Sequence, residues 1–277
     1  MEYYSSERVN ERVTAIRSRS GEIMYLIEGD KGAVLIDTCI GMRGLKNFVE
    51  QIRAKEMPLT VLISHGHIDH AMGAPEFGDA YMNLKDIPLY QSQCSISERR
   101  GYAGMGIGSL AKAVPDEEFV PATPDFEFQA LEEGMIFDLG GVTVEVYNAY
   151  GHTAGCMAFL VPEQKLLILG DACNNSTFLF DEICSSVAEY QRNMRELKDK
   201  VEGRYERVFV MHHIMDAPVS LLDEMIELCD DVIAGNVDHV PFEFMGKHAL
   251  VAKEANERME RKDGKFANLI YNPNYIR

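Results

Sequence analysis

Two apolar runs, Ile23 to Glu28 and Ala33 to Asp37, flank Gly29-Asp30-Lys31-Gly32, and apolar runs around a Gly-rich polar turn predict a β-hairpin. From Leu45 to Lys55 the spacing becomes helical, with Leu45, Phe48, Val49 and Ile52 on one face and Pro58 as a stop. Thr60 to Ser64 then reads as a short buried strand. The same signature returns at Val142 to Tyr147, Met157 to Val161, Leu166 to Leu169 and Arg207 to Met211, while helical spacing occupies Ser186 to Lys198 and Leu221 to Ile233. Near the end, Lys262-Asp263-Gly264-Lys265 predicts a turn into a strand from Phe266 to Tyr271, and the pattern from Ala249 to Arg261 does not separate strand from helix. Strands and helices alternate with no repeat and no low-complexity linker, which predicts one layered α/β domain over residues 1–277. The stretch from about Ala71 to Pro124 breaks that rhythm. Its GYAGMGIGSL and its proline- and acid-rich AVPDEEFVPATPDF read as an inserted flap that controls access.

Composition narrows the class. The chain is 46% hydrophobic but has no run near the roughly 18 to 20 apolar residues that a bilayer span needs, so no membrane is expected as a partner. Its start, MEYYSSERVNER, is charged where a secretory leader would be apolar, and the expected compartment is the cytoplasm. Cys39, Cys94, Cys156, Cys173, Cys184 and Cys229 form no CxxC pair, the pattern of reduced thiols serving as small core residues. A net charge of −17 would repel a phosphate backbone, and no basic run interleaved with aromatics offsets it. Nucleic acid is excluded as an expected partner, and a small molecule is the expected substrate.

The densest chemistry lies in Ser64-His65-Gly66-His67-Ile68-Asp69-His70, directly after an apolar strand. Three crowded imidazoles would repel when protonated, and burying them unpaired would cost several kcal/mol. A divalent cation resolves both difficulties by binding neutral rings and an ionised carboxylate. His65 and His67 can share one side of an extended loop while Asp69 and His70, entering a helix, point elsewhere, so one segment can serve two metals. Three further candidates stand where apolar strands run out: His152 in Gly151-His152-Thr153, Asp171 after Leu169-Gly170, and His212 or His213 after Met211. Tyr102, Met105, Ile107, Phe178 and Phe180 are candidates to line a substrate pocket.

Taken together, His65, His67, Asp69 and His70 as HxHxDH, Gly151-His152-Thr153, Leu169-Gly170-Asp171 and the late His212 resemble the metallo-β-lactamase superfamily. Asp37 matches the aspartate that supports the site from behind in that family. The resemblance implies a four-layer αββα sandwich, two mixed sheets between outer helices. It also implies that His65, His67 and His152 bind one metal, that Asp69, His70 and the last histidine bind another, and that Asp171 bridges them. Adjacent residues leaving a strand project to opposite sides, so one of His212 and His213 is a bystander. The family-like turn places the ligand at His212, with His213 where a glycine commonly follows. Cys173, two residues past Asp171, is a packed small residue, a further ligand or an oxidation site.

Such a site implies a metal-dependent hydrolase in which hydroxide held between two divalent ions attacks an ester, thioester, lactone or related bond, with Asp69 taking up and returning a proton. Zinc is the expected metal, and iron or manganese accept the same ligands. The resemblance leaves a phosphodiesterase, a mononuclear iron oxygenase and a non-catalytic metal-binding protein as alternatives.

Overall fold

The computed structural model describes residues 3–54 and 56–277, so Lys55, the far end of the predicted first helix, lies outside the described residues. The chain divides into two compact units, Met1–Val146 with Val161–Gln164 and Met211–His213, and Tyr147–Leu160 with Lys165–Val210 and Ile214–Arg277.

In the first unit a seven-stranded sheet runs in sequence order, Tyr4–Arg8, Val13–Ser18, Ile23–Glu28, Ala33–Ile36, Leu59–Leu62, Tyr81–Met82 and Gln129–Ala130. The first four strands pair antiparallel, including the predicted hairpin, and the remainder pair parallel. Ile23–Glu28 and Ala33–Ile36 are buried throughout, as strands covered on both faces must be. Helix Leu45–Ile52 makes the crossover that parallel pairing of Ala33–Ile36 with Leu59–Leu62 demands, and it buries Leu45 and Val49.

The stretch read as a flap is largely helical, with Ile87–Gln93, Ile96–Ile107 and Leu110–Ala113 in place of open backbone. The reason is local. Ser95 caps the longest of these helices by accepting the Glu98 N–H at 3.2 Å while its hydroxyl meets the Glu98 carboxylate at 2.7 Å, a reciprocal arrangement that offsets the glycines further along.

In the second unit, Leu166–Ile168 pairs parallel with Arg207–Phe209 and neighbours Met157–Val161, while Asp216–Ala217 closes the other edge. A four-stranded sheet is ordered Thr177–Leu179, Leu269–Tyr271, Lys247–Val251, Val240–Phe244. The undecided stretch is therefore a strand at its start, and its pairing with Leu269–Tyr271 is antiparallel. Helices Val187–Val201 and Leu221–Ala234 share one apolar core with these strands through Tyr190, Met194, Leu197, Met225 and Cys229. Among the described residues, no helix is long and apolar enough to cross a membrane.

Candidate metal centre

Asp37 leaves strand Ala33–Ile36 at a φ of 65° and lies 1% exposed behind the histidine segment. One carboxylate oxygen accepts the Ser64 backbone N–H at 2.6 Å, and the other accepts the Ser64 hydroxyl and His70 Nδ1, both at 2.7 Å. An ionised carboxylate only accepts, so the neutral His70 ring carries its proton on Nδ1 and its lone pair on Nε2. The Ser64 hydroxyl has given its hydrogen to Asp37 and can only accept from His65 Nδ1, 3.0 Å away. His65 is thereby set in the same tautomer, with its lone pair on Nε2.

His67 is the extended N-cap of the short helix Ile68–Ala71, which carries Asp69 and His70 into the site. His65 and His67 stand edge to face with ring centroids 4.9 Å apart, and a ring nitrogen of each lies within 4.8 Å of one on the other. A second group forms around Asp69 Oδ2, which is 3.5 Å from His70 Nε2 and 3.3 Å from His212 Nε2, the two nitrogens being 3.2 Å apart. Burial opposes ionisation of Asp69, but with no metal bound a second proton on the His70 and His212 rings supplies positive charge that outweighs it and holds the carboxyl well below the usual range, a charge that a bound cation would replace.

The pair at the end of Arg207–Phe209 separates as strand alternation predicts. Ile23 N–H donates to the Met211 carbonyl at 2.7 Å and His213 N–H to the Gly21 carbonyl at 3.0 Å, fixing the turn against the start of Ile23–Glu28. His212 turns to Asp69 and His70. His213 takes φ 53°, the left-handed conformation that favours glycine, and its exposed ring lies over Gly21, where a Cβ would come within 2.5 Å of it. Metal content measured on His212→Ala and His213→Ala is expected to show one metal lost from the first and none from the second. Loss confined to His213→Ala would reverse the assignment.

In the second unit, His152 Nδ1 lies 2.7 Å from the Phe178 carbonyl, an acceptor only, so His152 too keeps its lone pair on Nε2. Asp171 follows Leu166–Ile168 in the turn Gly170–Ala172, and its Oδ2 is 3.9 Å from His152 Nε2. Cys173 belongs to the core, fully buried among Leu221, Tyr190 and their neighbours, and burial pushes its thiol up to about 12. All six cysteines are buried thiols outside any disulfide.

Three contributors had no assignment from sequence. Ser64 relays Asp37 to His65, and the Phe178 carbonyl orients His152. Glu22, 2% exposed, accepts from the Ser20 hydroxyl at 2.6 Å and the Cys39 thiol at 3.2 Å, forming a second buried carboxylate beside the His212 turn. Only Ser64, adjacent to His65, carried a local signal.

Imidazoles with their protons fixed on Nδ1, beside an ionised buried carboxylate, make a donor set for a divalent transition metal, and the residues present fit one. The chain belongs to the metallo-beta-lactamase superfamily, which it matches over residues 23–212. It is 24% identical over 208 residues to the acyl-coenzyme A thioesterase MBLAC2 of Gallus gallus, covering 69% of this chain and 72% of that one. It is 22% identical over 153 residues to an atrochrysone carboxyl ACP thioesterase of Pseudocercospora fijiensis, which is 54% of this chain and only 37% of the fungal protein. The solved metallo-beta-lactamase from Pontibacter korlensis matches with a TM-score of 0.59 at 18% identity, over 81% of this chain and 97% of that one. The mixed α/β architecture is that of this fold.

Proposed function

We propose that this chain is a binuclear metal-dependent hydrolase of small-molecule thioesters, with His65, His67 and His152 as ligands of one ion, Asp69, His70 and His212 as ligands of the other, and Asp171 bridging them. The observation that carries the reading is the Asp69–His70–His212 group, where a carboxylate oxygen and two imidazole nitrogens converge within 3.5 Å. The thioester bond is chosen because two relatives are thioesterases. Zinc suits the ligands best, and iron or manganese accept them. Buried thiols outside any disulfide are consistent with a reducing, cytoplasmic setting.

Divalent ions held there supply Lewis acidity, polarising the scissile carbonyl and lowering the pKa of water towards about 7. Asp37, directly at His70 Nδ1 and through Ser64 at His65 Nδ1, fixes the tautomer of two imidazoles and aims their Nε2 atoms. Asp69, held ionised, takes the proton from the attacking water. The water oxygen bonds to the acyl carbon, the C–S bond breaks, and the proton passes from Asp69 to the departing sulfur, giving an acid and a thiol.

The test is thiol release from a panel of acyl-coenzyme A thioesters by metal-replete protein. Release that stops on chelation and returns with zinc is expected. No release from any thioester would refute the substrate class, and release surviving complete metal removal would refute the metal dependence.

A further inference from the structure

Tyr102 lies in helix Ile96–Ile107 of the first unit, and its hydroxyl donates to Asp69 Oδ2. That is the oxygen shared between His70 Nε2 and His212 Nε2, at 3.5 and 3.3 Å. A carboxylate turns about its Cβ–Cγ bond with little resistance and can present either oxygen, so a donor fixed on one oxygen selects the orientation.

The helix has the means to keep that donor fixed. Three residues before Tyr102, and so on the same side of the helix, Arg99 is 1% exposed. Its guanidinium donates to the Gly41 carbonyl at 3.2 Å and the Val120 carbonyl at 2.6 Å, and it lies 5.3 Å over the Phe119 ring. One turn beyond Tyr102, Gly106 lies against Ser20 so closely that a Cβ would come within 2.4 Å of the Ser20 carbonyl oxygen. Tyr102 is therefore presented by a helix held on both sides of it, one hold reaching the segment after Asp37 and the other the turn before Glu22.

We propose that Tyr102 is a positioning residue for Asp69, selecting through its hydroxyl the carboxylate oxygen that joins the ligating nitrogens of His70 and His212, and that helix Ile96–Ile107 is thereby coupled to metal occupancy there. The proposal rests on the reading of those three residues as ligands. A ligand whose orientation is no longer selected binds metal more weakly although every first ligand remains, typically by about 10- to 100-fold. The coupling is reciprocal, so metal that holds Asp69 also holds the tyrosine and its helix.

Zinc titration of metal-free wild type and Tyr102→Phe, with melting curves of both metal-free proteins and amide exchange of residues 96–107, tests this. The variant keeps the ring and removes one oxygen. One zinc affinity is expected to fall about 10- to 100-fold, with the metal-free melting temperature unchanged and the zinc-induced protection of the helix seen in wild type lost. Unchanged affinity in the variant would overturn the proposal, as would an affinity loss matched by an equal destabilisation of the metal-free protein, which would make Tyr102 a packing residue. Wild type that takes up no zinc would instead contradict the metal-site reading itself, and that outcome appears without any mutation.

Discussion

Asp37→Ala is expected to lower the melting temperature of the metal-free protein by roughly 8–28 °C, as large a stability effect as any single side chain around the site should give. Asp37 is the acceptor for three buried donors, the Ser64 N–H, the Ser64 hydroxyl and His70 Nδ1. Removing one side of a buried charge-assisted set costs about 3–5 kcal/mol, and each kcal/mol moves the melting temperature of a chain approaching this size by about 2–4 °C. Alanine adds a penalty of about 1–2 kcal/mol at the left-handed φ of 65° that Asp37 occupies. His70 and His65 would lose their fixed tautomers in the same step, so metal affinity should fall as well, by about 10- to 100-fold. A metal-free melting curve superimposable on wild type would show that the carboxylate does not organise the segment.

Asp171→Ala should have the largest effect on turnover. As the proposed bridge, its carboxylate serves both ions and neutralises part of their mutual repulsion, so its loss should release at least one metal. Loss of a group that stabilises developing charge commonly lowers kcat by about 10²–10³-fold, and losing a metal with it should bring the fall to that range or beyond. Single-turnover measurements on a verified thioester check this. Wild-type turnover in the variant would remove Asp171 from the bridging role.

Much of the candidate site was legible along the chain because a set of metal ligands would leave a dense and costly signature. Three histidines and an aspartate within six residues have no structural use that would justify their burial, and the remaining candidates each stood where an apolar run ended. The strands themselves end earlier than their apolar patterns do. Thr60 to Ser64 shortens to Leu59–Leu62, and Arg207 to Met211 to Arg207–Phe209. The side chains remain buried past those points, but the backbone partners change, Ser64 N–H turning to the Asp37 side chain and the Met211 carbonyl to Ile23 N–H. Hydrophobicity reports burial and cannot report which group a backbone amide meets.

Other features depended on contacts distant in sequence. The glycines of GYAGMGIGSL carry the signal of a loop, yet the Ser95–Glu98 cap and the buried Arg99 hold the segment as a helix that delivers Tyr102 to Asp69. The tautomer of His152 is fixed by the carbonyl of Phe178, twenty-six residues on, and a backbone carbonyl has no sequence signal at all. That only one of His212 and His213 turns towards Asp69 and His70 was legible from strand alternation. What the sequence could not supply was the partner of the second ring, Gly21, whose missing side chain leaves room for it.

The most direct test of a two-metal site is elemental analysis of unchelated, purified protein combined with a zinc titration of the metal-free form. Two metal ions per chain are expected, with the melting temperature rising as each binds. A chain that holds no metal, and whose melting temperature does not move on adding zinc, iron or manganese, would contradict the account.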